Sequence, residues 1–264
     1  MKTEELLQAL QNPANLYRGK PFWAWNGKLE INELKRQIDI MKKMGFGGFF
    51  MHSRTGLVTE YLGEHWFACI RACAEYAYSL GMEAWLYDED RWPSGTCGGL
   101  VTKKEETRLH FISLYDCDTD FPVLARFAYE TATDFFSVQG KEDVPSGYAY
   151  QVYVCEPMQS NSFYNGYTYL DTMNPDAVQD FFASTHEKYK QHVGDLFGKE
   201  IKGIFTDEPH RGALFSGFGI DNPNGEKMCP YTGKLFERYQ ALALFGGLFR
   251  AAKLFIYAYA RKRV

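Results

Sequence analysis

The sequence predicts an α/β protein in which strands and helices alternate as they do in a (β/α)-barrel. Short apolar runs alternate with longer segments whose apolar residues recur at helical spacing, and glycines end those helical segments. Polar residues collect where the apolar runs end. In (β/α)-barrels the carboxyl ends of the strands build the functional face, so we expect a polar site at these positions.

The first 100 residues are predicted to form the opening βα units. Strands are expected at 22–25, 47–51 and 83–87, each a short run rich in aromatic or apolar residues. Helices are expected at 31–44 and 64–80, where apolar side chains repeat every three or four positions. Each predicted helix is followed by a glycine, the residue that most readily adopts the left-handed conformation at a helix end.

The alternation fails between residues 101 and 167. Polar turns there separate short aromatic and β-branched runs, such as 108–115 and 148–154. We expect a β-rich insertion between the third and fourth strands of the barrel.

Alternation resumes over residues 168–240, which we assign to further βα units. A fourth strand is expected at 168–171, one helix from Pro175 until Gly198 ends it, and a fifth strand at 201–205. Since eight strands are needed to close such a barrel, the sequence predicts a partial one.

Residues 241–264 form an apolar and basic C-terminal segment that is atypical of the rest. Its apolar stretch is interrupted by Gly246, Gly247, Arg250 and Lys253, which argues against a helix that spans a membrane. We expect an amphipathic helix against the core, or a surface for self-association.

Composition narrows the function classes. The net charge of -4 provides no general attraction for nucleic acid phosphates. The aromatic content of 17% suits either a large core or a cleft in which rings stack on sugars. The 6 cysteines are too sparse for a disulfide scaffold, and the charged N-terminus lacks a secretion signal, so we expect a cytoplasmic protein with free thiols.

Two predicted strand ends are rich in carboxylates. One is the run 84–95, which contains Glu89, and the other is the run 201–210, which contains Glu208. If the two ends face one pocket they supply an acid and a base, and Glu89 and Glu208 are our catalytic candidates. Asp88, Asp90 and Asp207 are close rivals. The alternative is that these acids are ordinary surface charges or ion-pair partners.

Polar and aromatic side chains near the same strand ends are candidates for binding substrate, because indole rings can stack on sugars and polar groups can orient hydroxyls. The substrate-binding candidates are Trp25, Asn26, His52, Arg54, Asp88, Asp90, Trp92, Asp207 and His210. For Trp25 the competing interpretation is that it belongs to the core.

A metal site is less well supported. His65, Cys69 and Cys73 follow one another at four-residue steps on one predicted helix face, but no fourth ligand is evident. A buried face of small residues is the favoured interpretation, and the identity of any metal ligand stays unknown.

The chain resembles the catalytic domain of the α-L-rhamnosidase family, number 106 among the glycoside hydrolases. The resemblance rests on the motifs Phe22–Asn26, Met51–Leu57, Tyr61–Gly63, Trp85–Gly95 and Phe205–Pro209, and it extends over roughly residues 15–240. Members of the family are usually several hundred residues longer, and residues 241–264 do not resemble their continuation.

That resemblance implies a (β/α)-barrel enzyme that removes terminal α-L-rhamnose with inversion, with a calcium ion as a candidate cofactor near the sugar. Carried over by motif, the general acid and the general base are Glu89 and Glu208, in an order that stays open. Inversion needs the two carboxyl groups about 6.5–9.5 Å apart. The alternative function is an inactive, truncated barrel that binds carbohydrate or assembles with a partner.

Overall fold

The chain divides into two units, and its computed structural model describes residues 3–130, 135–210 and 228–238. The first unit comprises residues 1–101 and 179–209, and the second comprises 102–178 and 210–264. Each unit has its own sheet.

The secondary structure of the described residues is as follows. The helices are α1 Thr3–Gln11, α2 Ile31–Lys43, α3 Glu64–Ser79, α4 Pro175–Ser184 and α5 His186–Val193. The strands are β1 Phe22–Trp25, β2 Gly48–Ser53, β3 Glu83–Tyr87, β4 His110–Tyr115, β5 Val123–Tyr129, β6 Phe135–Ser137, β7 Ala149–Pro157, β8 Ile201–Phe205 and β9 Met228–Tyr231.

The first unit contains a four-stranded parallel sheet with the order β1-β2-β3-β8. The strand predicted at 168–171 is not part of this sheet. Leu170 instead forms an isolated antiparallel bridge with Arg108 in the second unit, which corrects that prediction. The strand that pairs with β3 is therefore β8, and within the described ranges the sheet is open rather than closed into a barrel.

Side chains alternate between the two faces of this sheet, as the period of a strand requires. Trp23, Trp25, Phe49 and Met51 point to one face and are buried there. Trp66 of α3 packs edge-on against Trp25 at a ring distance of 5.0 Å. This face is the core of the unit.

The opposite face carries a patch of rings that is only partly covered. Phe22 lies 5.2 Å from Phe50 and 5.0 Å from Phe205, yet 53% of its surface is exposed. We call this set the aromatic face; its members are Phe22, Phe50, His52, Trp85, Tyr87 and Phe205. It leads to the carboxyl ends of the strands.

The helices of the first unit follow from their apolar spacing. In α2 the buried residues Leu34, Ile38 and Met41 recur at four- and three-residue steps, which places them on one face. Gly45 follows with a φ of 88°, a conformation that costs glycine little.

The single helix predicted from Pro175 to Gly198 is instead broken in two. Thr185 separates α4 from α5 with a φ of -117° and a ψ of -76°. Its hydroxyl donates a hydrogen bond of 2.9 Å to the carbonyl of Phe181. Such back-bonding competes with the regular helix ladder and accompanies helix bends, so a buried threonine in the apolar stripe marks the break.

The second unit contains a five-stranded sheet with the order β6-β5-β7-β4-β9, in which every pair is antiparallel. The runs 108–115 and 148–154, expected to be β-structure, lie mainly in β4 and β7. One buried cluster of this unit consists of Leu109, Phe111, Met158, Tyr164 and Tyr169.

In the part of the chain that the structure describes, no helix is long and apolar enough to cross a membrane. The C-terminal segment 241–264, for which self-association was considered, lies outside the described residues.

Close contact between β2 and β3 depends on a glycine. A Cβ atom at Gly48 would overlap the carbonyl oxygen of Glu83, its partner in the register, whereas a Cβ at Gly27 would meet nothing within 4 Å. We expect Gly48→Ala to lower the free energy of unfolding by about 1–3 kcal/mol or more, since overpacking forces the backbone to move. Gly27→Ala is the control, and urea unfolding measures both. Equal stability of the two variants would contradict this packing.

Candidate active site

The two acid-rich strand ends lie side by side. Tyr87 at the end of β3 pairs with Phe205 at the end of β8, and the amide of Asp88 donates to the carbonyl of Phe205 at 3.2 Å. Beyond the strands, the amide of Ser94 donates to the carbonyl of Asp207 at 2.8 Å. Parallel pairing has thus brought together two segments that are over a hundred residues apart in the chain.

Glu89 is enclosed by its own loop. Its side chain has no exposed surface, and its carboxylate accepts five backbone N–H bonds. The donors are Asp90 at 2.9 Å, Gly95 at 2.9 Å, Thr96 at 2.7 Å, Cys97 at 2.8 Å and Gly98 at 2.6 Å. We call residues 90–98, with their amides turned inward, the Glu89 loop.

Left-handed backbone makes this arrangement geometrically feasible. Cys97 and Gly98 have φ values of 52° and 62°, and Gly95 has a φ of 144°. Successive residues in such conformations turn their amides toward a common centre and form an anion-binding concavity. In this loop the anion is the protein's own carboxylate.

This placement does not suit the expected role of Glu89 as a group that exchanges a proton with substrate. Burial raises the pKa of Glu89 to about 7, against the opposing effect of the backbone donors, and a pKa near neutrality would suit a general acid. However, a general acid must also come within about 3 Å of the reacting atom. The Glu89 carboxylate faces amides instead and has no exposed surface, so we reassign it to holding the loop.

Glu208 and Asp207 are the accessible carboxylates at these strand ends. Glu208 is exposed, and one of its oxygens accepts the indole N–H of Trp92 at 3.0 Å. Asp207 is half-buried and accepts the hydroxyl of Tyr87 at 3.0 Å. Burial raises the pKa of Asp207 and the charge of Glu208 adds to that rise, while the Tyr87 hydrogen bond opposes it.

The backbone at Glu208 is unusual. Its φ is 44°, although glutamate rarely adopts the left-handed region and Pro209 follows it. Strained residues of this kind are concentrated at functional sites, where the surrounding structure enforces them.

His52 and Arg54, both predicted to bind substrate, lie at the end of β2 beside these acids. The ring of His52 stacks on Tyr87 with centroids 3.5 Å apart, and burial lowers the pKa of His52 to about 4, which leaves it neutral at pH 7. Arg54 is exposed, and its charge partly opposes the rise in the pKa of Asp207. Arg54 is therefore the accessible cation of the site.

Asp88 and Asp90 were predicted to bind substrate, but both are buried and neither is accessible to it. Asp88 accepts the hydroxyls of Ser94 and Thr206. Asp90 accepts the hydroxyl of Ser53 at 2.7 Å and the Nε of Arg91 at 3.2 Å, which joins the end of β2 to the Glu89 loop. Both aspartates connect segments of the site.

Trp25 and His210 also differ from the expectation. Trp25 is 1% exposed within the core, so its competing interpretation holds, while Asn26 after it is exposed. His210 belongs to the second unit, where its ring stacks on Tyr169 with centroids 4.0 Å apart. Burial lowers the pKa of His210 to about 4.

The described residues contain no cluster of His, Cys, Asp or Glu side chains of the kind that holds a metal ion. No group of three or more His, Cys, Asp or Glu side chains within residues 3–130, 135–210 and 228–238 is placed to share an ion. Nε2 of His65 lies 2.9 Å from the carbonyl of Leu29, and burial raises the pKa of Cys69 to about 11 and that of Cys73 further, away from the thiolate form that binds metals. We derive no chemical step through a metal.

Sequence reasoning missed the hydroxyl and histidine side chains that organise the acids. These are Ser53, Tyr87, Ser94, Thr206 and His186. A signal existed for Ser94 and Thr206, because each lies within a few residues of an acid at a strand end. No comparable signal marks His186, which is the first residue of α5.

The reassignment of Glu89 makes a testable prediction. Glu89→Ala leaves five backbone amides, four of them from buried residues, without their acceptor, and we expect the free energy of unfolding to fall by at least about 3 kcal/mol. Formate should fit the vacated space and raise the melting temperature of Glu89→Ala in a saturable manner. Calorimetry across a formate series measures this.

Wild type and Glu106→Ala are the controls, since Glu106 is exposed. Formate should leave the melting temperatures of both nearly unchanged. A Glu89→Ala variant as stable as Glu106→Ala would contradict the structural role of this carboxylate.

Comparisons with known proteins do not identify a family for this chain. No family model matches the chain, and no curated protein matches it. Among solved structures it is similar to one described as the structure of rhamnosidase from Novosphingobium sp. PP1Y, with a TM-score of 0.35 and 17% identity. The similarity covers 47% of this chain and 15% of that chain, so the present sequence spans a small part of that protein's length.

Proposed function

We propose that the ends of β2, β3 and β8 form a glycoside hydrolase site whose reacting carboxylates are Asp207 and Glu208. The observation that carries the proposal is the pairing of an exposed glutamate with an indole, beside a half-buried aspartate and an exposed arginine. Glycoside hydrolysis uses two carboxyl groups as acid and base, and an aromatic ring beside them offers a surface on which a sugar can stack.

The environments of the two carboxylates suggest separate roles. Burial and the charge of Glu208 raise the pKa of Asp207 against the Tyr87 hydrogen bond and the charge of Arg54, and a raised pKa suits a general acid. Glu208 is open to solvent and suits activation of water. In this proposal Glu208 keeps its predicted catalytic role and Asp207 takes the place expected of Glu89.

Substrate binding is proposed for Arg54, Trp92 and the exposed Asn26. Arg54 donates hydrogen bonds in a fixed fork and can orient hydroxyl groups, and Trp92 offers its ring beside Glu208. The motif resemblance makes terminal α-L-rhamnosides or related deoxysugars the first substrates to test.

A second candidate function is carbohydrate binding without hydrolysis. The aromatic face favours it, because Phe22 is exposed and the rings lead to the same strand ends. Such a protein would retain sugar when the acids are neutralised.

Kinetics with aryl α-L-rhamnosides test the proposed reaction. Glu208→Gln and Asp207→Asn should each lower kcat by about 100- to 10,000-fold, the usual contribution of general acid or base assistance. Glu106→Gln, which changes an exposed acid of the second unit, should keep the wild-type kcat.

Calorimetric titration with rhamnose separates the two candidates. Binding that persists in Glu208→Gln, together with turnover in wild type, supports hydrolysis by this site. Binding without turnover in wild type supports the second candidate. Turnover that is unaffected by Glu208→Gln and Asp207→Asn would refute the assignment of the acids.

A further inference from the structure

Beside the accessible acids lies a second group of polar side chains, arranged around a buried carboxylate, that the proposed reaction does not use. Its centre is Asp88, which has no exposed surface. Oδ1 of Asp88 accepts the Ser94 hydroxyl at 2.5 Å, and Oδ2 accepts the Thr206 hydroxyl at 2.6 Å. Distances this short are typical of hydroxyls that donate to an ionised carboxylate.

These hydroxyls belong to the two segments that carry the site. Ser94 lies in the Glu89 loop together with Trp92, and Thr206 immediately precedes Asp207 and Glu208. Ser94 also accepts the amide of Asp207 at 2.8 Å on its Oγ, while its own amide donates to the Asp207 carbonyl at 2.8 Å. One carboxylate thus connects the segment that bears the indole to the segment that bears the acids.

His186 lies beside Asp88 and can supply a counter-charge when its ring is protonated. Its Nε2 lies 3.6 Å from Oδ2 of Asp88, a distance that suits an ion pair. Its Nδ1 lies 2.9 Å from the Thr185 hydroxyl, which is also 2.9 Å from the carbonyl of Phe181.

The Thr185 hydroxyl can serve both charge states of His186. When the ring is neutral with its proton on Nε2, the hydroxyl can donate to Nδ1. When the ring is a cation, the hydroxyl can accept from Nδ1–H and donate to Phe181 instead. His186 can therefore gain a proton beside Asp88 without losing a hydrogen bond.

We propose that Asp88 and His186 form a charged clamp, in which Asp88 positions the Asp207 and Glu208 segment against the Trp92 segment and His186 keeps Asp88 ionised as the pH falls. Asp88 and His186 are positioning residues, since they act through Ser94 and Thr206. The inference deepens the proposed function, because it concerns the pH range over which the same site stays assembled.

Burial shifts the pKa of both members of the pair, and other titratable groups lie around them. Burial raises the pKa of Asp88 and lowers that of His186, and each charge opposes those shifts. The titratable groups that interact with the pair are Tyr87 and Cys97 from β3 and its loop, and Glu187 and Tyr189 from α5. Glu89 follows Asp88 in the chain, and Lys188 acts on Cys97. Burial raises the pKa of Tyr87, Cys97 and Tyr189, so these three stay neutral in mild acid.

The first test asks whether the hydroxyl contacts position Glu208. The protein is labelled with ¹⁵N at its indoles, and the Trp92 signal is assigned with Trp92→Phe. At pH 7, Thr206→Val should move the Trp92 signal toward its position in Glu208→Gln, while Thr206→Ser, which keeps the hydroxyl, should leave it at the wild-type position. Unchanged signals of Trp25 and Trp66 report that the unit is folded. A Trp92 signal that ignores Thr206→Val would overturn the clamp.

The second test measures the titration of the Asp88 carboxyl carbon by NMR. His186→Gln should raise its midpoint by about one pH unit, since an opposite charge at this distance lowers a carboxyl pKa by about that much or more. His192→Gln, a change on the same helix, should leave the midpoint unchanged, and the Ser94 amide signal should move with the Asp88 midpoint in each protein. An unchanged midpoint in His186→Gln, or a Ser94 amide that does not follow it, would refute the role of His186.

Both measurements are made without sugar. A protein that shows the clamp but hydrolyses no glycoside would refute the proposed function alone, and one that hydrolyses glycosides without these responses would refute the clamp alone.

Discussion

The candidate site depends on the way one buried carboxylate organises the backbone after β3. Glu89 accepts hydrogen bonds from five amides of residues 90–98, and these bonds hold a glycine-rich loop in one conformation. Backbone donors left unpaired in the interior would each be costly. Trp92 and Ser94 belong to this loop. Trp92 hydrogen-bonds to Glu208 and Ser94 to the amide of Asp207, so the loop also positions these two acids.

The site therefore has two layers with different physical demands. The inner layer, centred on Glu89 and Asp88, is buried, saturated with hydrogen bonds and concerned with geometry. The outer layer, with Glu208, Asp207 and Arg54, is exposed or half-buried. A carboxylate can be rigidly held or accessible to a substrate, and here Asp88 and Glu89 after β3 are held while Asp207 and Glu208 after β8 are accessible.

Sequence patterns could predict the strands of the first unit, because apolar periodicity and terminal glycines are local signals. They could also predict that the acids after β3 and β8 converge if those strands belong to one parallel sheet. The patterns gave wrong predictions where tertiary contacts determine the structure. Residues 168–171 pair within the second unit, and the helix predicted across Thr185 is broken there. The direction of the Glu89 side chain was equally hidden, since it depends on backbone dihedrals of residues that follow it.

The left-handed backbone at Glu208 affects which substitutions the fold would tolerate during evolution. A residue in that conformation adds strain to the fold rather than relieving it, and glycine would occupy the same position more comfortably. Mutation of Glu208 in an inactive descendant would therefore cost the fold little stability. Mutation of Glu89 would destabilise the fold itself. Retention of an acid at position 208 in descendants would be a sign of selection for chemistry rather than for folding.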